Sequence, residues 1–266
     1  MEIQFGEASD PGKVRTTNED SLGSFIPQSL QKARSLGYLF AVADGVGGHD
    51  LGEVASATAI EVITKGFAAA ADNALLMGLI PSLVQHANSA VHDLMLTPTG
   101  RGKRIATTLV ACALRHNQAV ISHVGDSRCY LVRDGIAKAI TEDHTWVNEQ
   151  RKLGLINEIE MAESESRHIL ARCLGPDLFI PVDTTSLTVI PGDVIVLCSD
   201  GLHGSLSDQR IASITSQHGN AIDLARELVS TSVAADGSDN TTAQVICIKS
   251  VEKVGMYRGR PYFLPS

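Results

Sequence analysis

The sequence predicts an α+β fold, a layered sandwich in which antiparallel strands and long helices are kept apart. The first observation behind this is a series of short β-rich runs bounded by Gly, Asp and Asn turns. The second is that two connections between such runs are only about two residues long, at His116-Asn117 and at Asp134-Gly135, as is typical of antiparallel hairpins. The third is that long stretches of helical periodicity are segregated from these runs.

The individual elements follow from the spacing of apolar residues. We predict strands over the runs 3–9, 38–44, 106–114, 118–124, 128–132, 193–200 and 243–249. We predict helices over 53–67, 81–96 and 221–233, the second of which starts on Pro81. Their apolar faces carry Ile60, Ile63 and Phe67 in the first, Val84, Ala87, Val91 and Leu94 in the second, and Ile222, Ala225 and Val229 in the third.

Length and charge limit the classes of protein and partner. The chain has 266 residues, which suits one large domain and is short for two. Its formal charge of −8 repels phosphate backbones and anionic lipid, so we expect neither nucleic acid nor membrane as a partner. The basic run Arg101-Gly102-Lys103-Arg104 is shorter than a typical patch of about 5–8 residues, and we interpret it as a solvated loop. A monomer is expected.

Cysteine usage and the N-terminal sequence predict a cytoplasmic protein. The five cysteines form no CxxC pair, and four of them lie in apolar runs where Cys behaves as a small hydrophobe. We therefore expect free thiols in a reducing compartment, with neither a disulfide framework nor a zinc site. The first ten residues lack the basic region and apolar core of a signal peptide.

Four aspartates stand at the ends or starts of β-rich runs: Asp44, Asp126, Asp200 and Asp239. A single Asp in such a place is ordinarily a turn residue. If the strands share a sheet, however, four carboxylates converge at one edge, where their repulsion costs several kcal/mol unless a cation neutralises it. Hard oxygen ligands without His or Cys suit Mg²⁺ or Mn²⁺, so the pattern predicts a multi-metal carboxylate site.

The residues around these aspartates indicate phosphoester hydrolysis. Gly45 lets the backbone approach closely, so its carbonyl can serve as a ligand beside Asp44. Two metals bridged by one aspartate would hold and acidify a shared water, which makes a nucleophile without any attacking side chain. Arg15, ahead of Glu19 and Asp20, is the candidate for binding the phosphate, although a lone Arg is often only a surface salt bridge.

These motifs resemble those of a known family, the metal-dependent serine/threonine protein phosphatases of type 2C in their bacterial form. The resemblance runs in the family's order from Phe5 to Lys249. The matching segments are "GKVRTTNEDS", "VADGVGGHDLGEVAS", "ATTLVACAL", "HVGDSRCYLVRDG", "TEDHTWV", "ILARCLG", "PGDVIVLCSDGL" and "SDNTTAQV".

The resemblance implies a role for each candidate residue. Asp44 is implied to bridge two core Mn²⁺ or Mg²⁺ ions, with the Gly45 carbonyl completing one of them and with Asp200 and Asp239 holding the second. Asp126 with Asp200 is implied to form a third, weaker metal site. Arg15 is implied to bind the substrate phosphate, and it and Asp44 are the residues implied to be catalytic. Glu19 and Asp20 are implied to hold metal-bound waters.

The resemblance also implies the architecture and the domain limits. The family fold is a four-layer α-β-β-α sandwich, two stacked antiparallel sheets flanked by helices. The chain is expected to be one catalytic domain over residues 1–250, with a flap at 145–168 and a C-terminal extension at 251–266 that packs on the surface or frays.

One departure from the family pattern concerns the proton donor. Val46 stands where many eukaryotic members carry a histidine that protonates the leaving oxygen, so a metal-bound water is expected to do so here. His49 is the alternative donor, although a first-turn helix residue or a local contact explains it equally simply.

The expected substrates are proteins phosphorylated by a Ser/Thr kinase. The sequence also leaves two alternative functions open. The first alternative is a non-catalytic pseudophosphatase that senses metal or phosphoprotein. The second is hydrolysis of a small phosphoester metabolite.

Overall fold

A computed structural model of the chain describes residues 1–46, 51–164, 166, 168–217, 219–252, 254–257 and 260–263. Its strands are β1 (Glu2–Asp10), β2 (Asp20–Phe25), β3 (Tyr38–Val46), β4 (Ala106–Thr107), β5 (Leu109–Arg115), β6 (Gln118–Val124), β7 (Arg128–Arg133), β8 (Ile136–Ala139), β9 (Asp183–Thr188), β10 (Val194–Cys198), β11 (Thr241–Ser250), β12 (Val254–Tyr257) and β13 (Arg260–Phe263). Its helices are α1 (Leu30–Ser35), α2 (Gly52–Ala68), α3 (Leu76–Leu94), α4 (Trp146–Lys152), α5 (Glu158–Glu163), α6 (Asp200–His203), α7 (Asp208–Thr215) and α8 (Ala221–Ala235).

The long strands form two antiparallel sheets. One has the order β1-β11-β10-β7-β8, and the other has the order β2-β3-β5-β6-β9, with β4 added beside β3. The β5–β6 joint is the predicted two-residue turn, because Arg115 pairs with Gln118 and His116 takes a φ of 61°. The β7–β8 joint is the predicted Asp134-Gly135 turn, with positive φ at both residues.

The two sheets stack face to face, and helices cover both outer faces. Between the sheets lies a buried cluster that takes Phe40 and Val42 from one sheet and Ile195 and Ile246 from the other. The rings of Phe5 in β1 and Phe40 in β3 meet there, with centroids 5.3 Å apart. Helices α2 and α3 pack on the outer face of one sheet, and α7 and α8 pack on the other. The predicted α+β fold is confirmed as a four-layer α-β-β-α sandwich.

Strand β3 is buried on both faces, which explains why its apolar run is continuous. Ala41 and Ala43 belong to the cluster beneath the helices, whereas Phe40 and Val42 belong to the cluster between the sheets. Because side chains alternate along a strand, Asp44 shares the face of Phe40 and Val42 and is directed into the space between the sheets.

Three predicted details of the elements were wrong. The second helix starts at Leu76 rather than at Pro81, which lies inside it. Ile222 is 47% exposed, and the buried stripe of α8 is shifted to neighbours such as Leu224 and Leu228. The strand predicted over 38–44 does not stop at Asp44, because β3 continues to Val46 and pairs there with β4.

The segment at 145–168 and the segment at 251–266 contain regular structure. The first holds α4 and α5, and its ends lie close together, since Thr145 and Leu170 form an isolated antiparallel bridge. The second holds the hairpin β12-β13. None of the helices in the described ranges combines the length and the apolar character that crossing a membrane requires.

Candidate metal centre

A cleft of about 710 Å³ opens where the two sheets meet. Seven of the eight predicted site residues line it: Arg15, Glu19, Asp44, Gly45, Asp126, Asp200 and Asp239. The eighth, Asp20, is buried behind them. The structure thus brings together the residues that the sequence singled out. What the arrangement can do depends on how each carboxylate is held.

The predicted condition for convergence, that the aspartates share one sheet, was wrong. Asp44 belongs to β3 in one sheet, whereas Asp200 follows β10 and Asp239 precedes β11 in the other. Asp126 lies on the connection from β6 to β7, which passes from the first sheet to the second. The carboxylates converge because both sheets end at the same mouth of the sandwich.

Two consecutive threonines hold the backbone of Asp44: Thr107 at the end of β4 and Thr108 between β4 and β5. The backbone N–H of Asp44 donates to Thr108 Oγ1 at 2.9 Å, and the backbone N–H of Thr108 donates back to the Asp44 carbonyl at 2.8 Å. Thr107 Oγ1 donates to the same carbonyl at 2.8 Å. Thr108 also shares a hydrogen bond of 2.6 Å with Ser127 Oγ, next to Asp126. Thr108 therefore links the two corners that carry Asp44 and Asp126.

Gly45 stands where three backbone segments converge. Its N–H donates to the Glu19 carbonyl at 3.1 Å. A Cβ at Gly45 would lie 2.3 Å from the Gly52 carbonyl oxygen and 2.8 Å from that of Glu19. Only glycine fits here, because the atoms that a side chain would strike are backbone atoms.

Asp20 is a buried acid that lies behind the cleft. It lies opposite Asp44 in the β2–β3 register and is 9% exposed. Ser199 Oγ donates to its Oδ2 at 2.7 Å, but Oδ1 has no hydrogen-bond partner among the described residues. Burial raises the pKa of Asp20 to about 7, and the charges of Asp200 and Asp239 add to the increase.

Burial and neighbouring negative charges also disfavour the ionised forms of Asp44 and Asp126. Burial raises the pKa of Asp44 well above its ordinary value, and Asp20 and Asp200 raise it further. Burial and the charge of Asp200 likewise raise the pKa of Asp126. A buried carboxylate oxygen without a partner and mutually repelling acids are what a bound cation would relieve.

The donor set favours a hard cation. Cys173 lines the cleft, but burial raises the pKa of its thiol to about 11, so it offers no thiolate. The remaining acids and backbone carbonyls are oxygen donors of the kind that Mg²⁺ and Mn²⁺ prefer. The residues therefore fit the divalent ions that the sequence predicts.

Arg15 extends over the acidic floor of the cleft. Its Nη2 donates to Asp239 Oδ2 at 2.8 Å, and this hydrogen bond is the main cause of the raised pKa of the Arg15 guanidinium. The side chain of Arg15 is 44% exposed. Arg15 does form the salt bridge of the alternative interpretation, but its partner Asp239 is itself a predicted site residue.

Sequence reasoning missed four residues of the site. Thr108 was noted only as part of a strand motif, and Asn240, whose Oδ1 accepts from the Glu19 N–H at 2.8 Å, was not singled out. Arg104 lines the cleft from a run that is otherwise the exposed loop that the sequence predicts. His168 also lines it, with Nδ1 3.9 Å from Asp200 Oδ2. Val46, which cannot donate a proton, lines the cleft, and the alternative donor His49 lies outside the described residues.

We expect Thr108→Val to weaken the site more than the fold. The change leaves the Asp44 N–H without its acceptor and Ser127 without its partner, which costs about 1–3 kcal/mol of unfolding free energy. Thr215→Val is the matched control, because the buried Thr215 hydroxyl donates to carbonyls of its own helix, far from the cleft. Chemical denaturation of both variants, with and without Mn²⁺, measures the free energy of unfolding and the part of it that depends on Mn²⁺. Equal loss of Mn²⁺-dependent stability in the two would contradict the linking role of Thr108.

Comparison with known proteins identifies the family. Residues 14–235 match the sequence description of a family called Protein phosphatase 2C. The serine/threonine phosphatase stp of Listeria innocua is 30% identical over 260 residues, which cover 95% of this chain and 96% of that protein.

Solved structures agree with this sequence match. The serine/threonine phosphatase Stp1 from Staphylococcus aureus superposes with a TM-score of 0.84 at 26% identity, over 94% of this chain and 96% of that one. The catalytic domain of the serine/threonine protein phosphatase PstP, solved in complex with two manganese ions, superposes with a TM-score of 0.78 at 30% identity, over 93% and 99%.

The four-layer sandwich and its cleft of carboxylates define a metal-dependent phosphatase fold. With the sequence match covering most of its length, the chain belongs to the protein phosphatase 2C family. The resemblance noted in the sequence is confirmed.

Proposed function

We propose that this chain, a metal-dependent serine/threonine protein phosphatase by family, hydrolyses phosphoserine and phosphothreonine in proteins with divalent ions held in the carboxylate cleft. The observation that carries the proposal is the crowding of Asp20, Asp44 and Asp126, each with a raised pKa, at one mouth of the sandwich. Such a cluster is costly for a fold and is retained where a cation is used.

Each acid has a proposed place around the ions. Asp44 and the Gly45 carbonyl would hold one Mn²⁺ or Mg²⁺ ion, and Asp44 with Asp200 and Asp239 would hold a second. Asp126 and Asp200 would hold a third and weaker ion. The lining of one cleft by all these residues supports the assignment.

Glu19 and Asp20 are proposed to orient waters rather than to bind metal directly. Asp20 lies behind the cleft, where Ser199 holds one of its carboxylate oxygens. The Glu19 backbone is fixed by its bonds to Gly45 and to Asn240. Residues of this outer layer hold ligands and waters in one orientation.

The chemistry divides between the ions and the chain. When bound, the ions supply Lewis acidity that lowers the pKa of water and offsets phosphate charge. The chain's aspartates hold the ions in place, and Arg15 binds the phosphate with guanidinium N–H groups other than the one that contacts Asp239. Val46 has no titratable group, so the proton for the leaving oxygen comes from water.

The proposed substrates are proteins phosphorylated by Ser/Thr kinases, met in the cytoplasm by a monomeric enzyme. The cleft is open and wide enough, at about 710 Å³, for a phosphorylated side chain on an extended peptide. All five cysteines are unpaired thiols, which suits a reducing compartment.

The direct test is hydrolysis of a phosphothreonine peptide by the purified chain, with Mn²⁺ and then with a chelator. We expect turnover with Mn²⁺, none with the chelator, and recovery when Mn²⁺ is restored. Calorimetric titration with Mn²⁺ runs beside it. Binding without turnover would favour the pseudophosphatase, and turnover of small phosphoesters but not of the peptide would favour a metabolite substrate; no observation on the structure favours either.

We expect the stabilisation of the fold by Mn²⁺ to grow as the pH rises from about 5.5 to about 8. Burial raises the pKa of Asp20 to about 7 and raises those of Asp44 and Asp126. The folded, metal-free chain therefore holds more protons on these acids than the unfolded chain does, and a binding cation must displace them.

The measurement is the increase in Tm caused by saturating Mn²⁺ at each pH. Comparing loaded and metal-free protein at the same pH cancels the contribution of groups remote from the cleft. Asp20→Asn is the control, because it removes the acid whose pKa is raised to about 7 and should flatten the profile. An increase in Tm that is constant or falls over this range would contradict the proposed proton displacement.

A further inference from the structure

We propose that His144 is a positioning residue that sets the Gly125-Asp126 corner and thereby the affinity of the weakest metal site. The inference rests on the proposed function, in which Asp126 is a ligand of that site. His144 lies outside the cleft and is fully buried. It acts on the site through backbone atoms of Gly125.

His144 and Gly125 hold each other by two reciprocal hydrogen bonds. The backbone N–H of His144 donates to the Gly125 carbonyl at 3.0 Å, and the backbone N–H of Gly125 donates to the ring Nδ1 of His144 at 3.1 Å. Only glycine fits at this position, because its φ is 103° and a Cβ there would lie 2.6 Å from Thr108 Cγ2. Asp126 follows directly, so the clamp on Gly125 determines where the Asp126 side chain leaves the backbone.

The donor to His144 Nδ1 determines the tautomer of the ring. A backbone N–H can only donate, so Nδ1 must accept and the proton of a neutral imidazole must lie on Nε2. Nε2 faces Asp183, whose Oδ2 lies 3.2 Å away. The resulting chain runs from the Asp183 carboxylate through His144 to Gly125, and each link has a matching donor and acceptor.

Arg172 fixes the outer end of this chain. Its Nη1 donates to Asp183 Oδ1 at 2.8 Å and to the Pro181 carbonyl at 3.2 Å. The same Nη1 lies 3.3 Å from His144 Nε2, but with the proton on Nε2 two donors face each other there and both N–H groups turn to acceptors such as Asp183. The Ala171 N–H donates to the His144 carbonyl at 2.8 Å. The chain that follows the 145–168 segment is therefore attached to the same histidine as the Gly125-Asp126 corner.

A metal site at this cluster is the competing explanation. One ligand atom from each of His123, His144 and Asp183 lies within 4.8 Å of the others, a spacing that suits a bound ion. Nε2 of His144 cannot be a ligand, however, while its proton is required by the Gly125 bond. The Arg172 guanidinium already supplies the positive charge next to Asp183. The geometry assigns the cluster to positioning.

Two isosteric replacements separate the two ends of His144. In His144→Asn, the amide oxygen takes the place of Nδ1 and still accepts from Gly125, but the bond to Asp183 is lost. In His144→Gln, the amide N–H₂ takes the place of Nε2 and still donates to Asp183, but the bond from Gly125 is lost. His123→Gln is the control for removing a neighbouring imidazole, since His123 stacks on His144 and its Nε2 bonds the Glu142 carbonyl rather than Gly125.

The experiment is calorimetric titration of each full-length variant with Mn²⁺, with thermal melting of the metal-free forms as a check on folding. We expect His144→Gln to weaken the weakest Mn²⁺ step by about 10-fold or more, while the tighter steps are unchanged. We expect His144→Asn and His123→Gln to keep that step close to its original affinity. A merely structural role would instead lower the melting temperature in both His144 variants without separating the Mn²⁺ steps.

Asp126→Asn separates failure of this inference from failure of the proposed function. If it removes the weakest step but His144→Gln retains it, the positioning role is wrong and the ligand assignment stands. Equal losses in His144→Asn and His144→Gln also overturn the positioning role. If Asp126→Asn leaves the weakest step intact, Asp126 is not a ligand and both proposals fall.

Discussion

Asp44→Asn is expected to lower kcat/KM for a phosphothreonine peptide by on the order of 10³-fold or more, because the carboxylate proposed to hold both ions would contribute several kcal/mol of transition-state charge stabilisation through them. The backbone bonds that Thr107 and Thr108 make to residue 44 do not involve its side chain, so they survive the change. The variant should fold.

The stability of the same variant should move in the opposite direction. In the metal-free protein the charge of Asp44 is opposed by burial and by Asp20, Asp126 and Asp200, as its raised pKa shows. A neutral amide removes that repulsion, so the metal-free Tm should be unchanged or higher, while the increase in Tm caused by Mn²⁺ disappears. A variant that was simply misfolded would lose both.

Asp134→Asn is the matched control for this substitution. Asp134 is exposed in the β7–β8 turn at a φ of 52°, where Asn is equally suited. We expect it to retain the activity and the Mn²⁺ response of the parent chain. If Asp44→Asn retained comparable activity, the assignment of Asp44 as bridging ligand would be wrong.

Gly45→Ala is expected to lower the free energy of unfolding by about 3 kcal/mol, the upper end for overpacking, because no side chain can move aside. The added methyl would lie 2.3 Å from the Gly52 carbonyl oxygen and 2.8 Å from that of Glu19. Strand β3 and the start of α2 must then separate. Since the Gly45 carbonyl and the Asp44 carboxylate move with β3, Mn²⁺ binding should weaken as well.

Gly78→Ala tests whether this loss comes from the clash. A Cβ at Gly78 meets no atom within 4 Å, and the residue lies in helix α3. There Ala is favoured over Gly by roughly 0.5–1 kcal/mol, so this variant should be more stable than the parent. Urea denaturation of both variants, with and without Mn²⁺, gives the comparison. A stable Gly45→Ala with normal Mn²⁺ affinity would show that the close approach is not needed.

The sequence by itself determined the local geometry of the site. The alternation of a continuous apolar run is a local property, and it places Asp44 on the same strand face as Phe40 and Val42. The two-residue turn at His116-Asn117 is equally local, because the turn length dictates the hairpin. The choice of Asp44, Asp126, Asp200 and Asp239 came from their repeated position beside β-rich runs, and all four line one cleft.

Only the tertiary structure decided how these pieces meet. Whether the aspartates come from one sheet or two depends on pairing between strands distant in sequence, which no local periodicity encodes. The same holds for Thr108, whose hydroxyl is matched to the Asp44 N–H across 64 positions of sequence, and for His144, whose ring reaches Gly125 across 19. The chain sets which residues carry the chemistry, and long-range packing sets the distances between them.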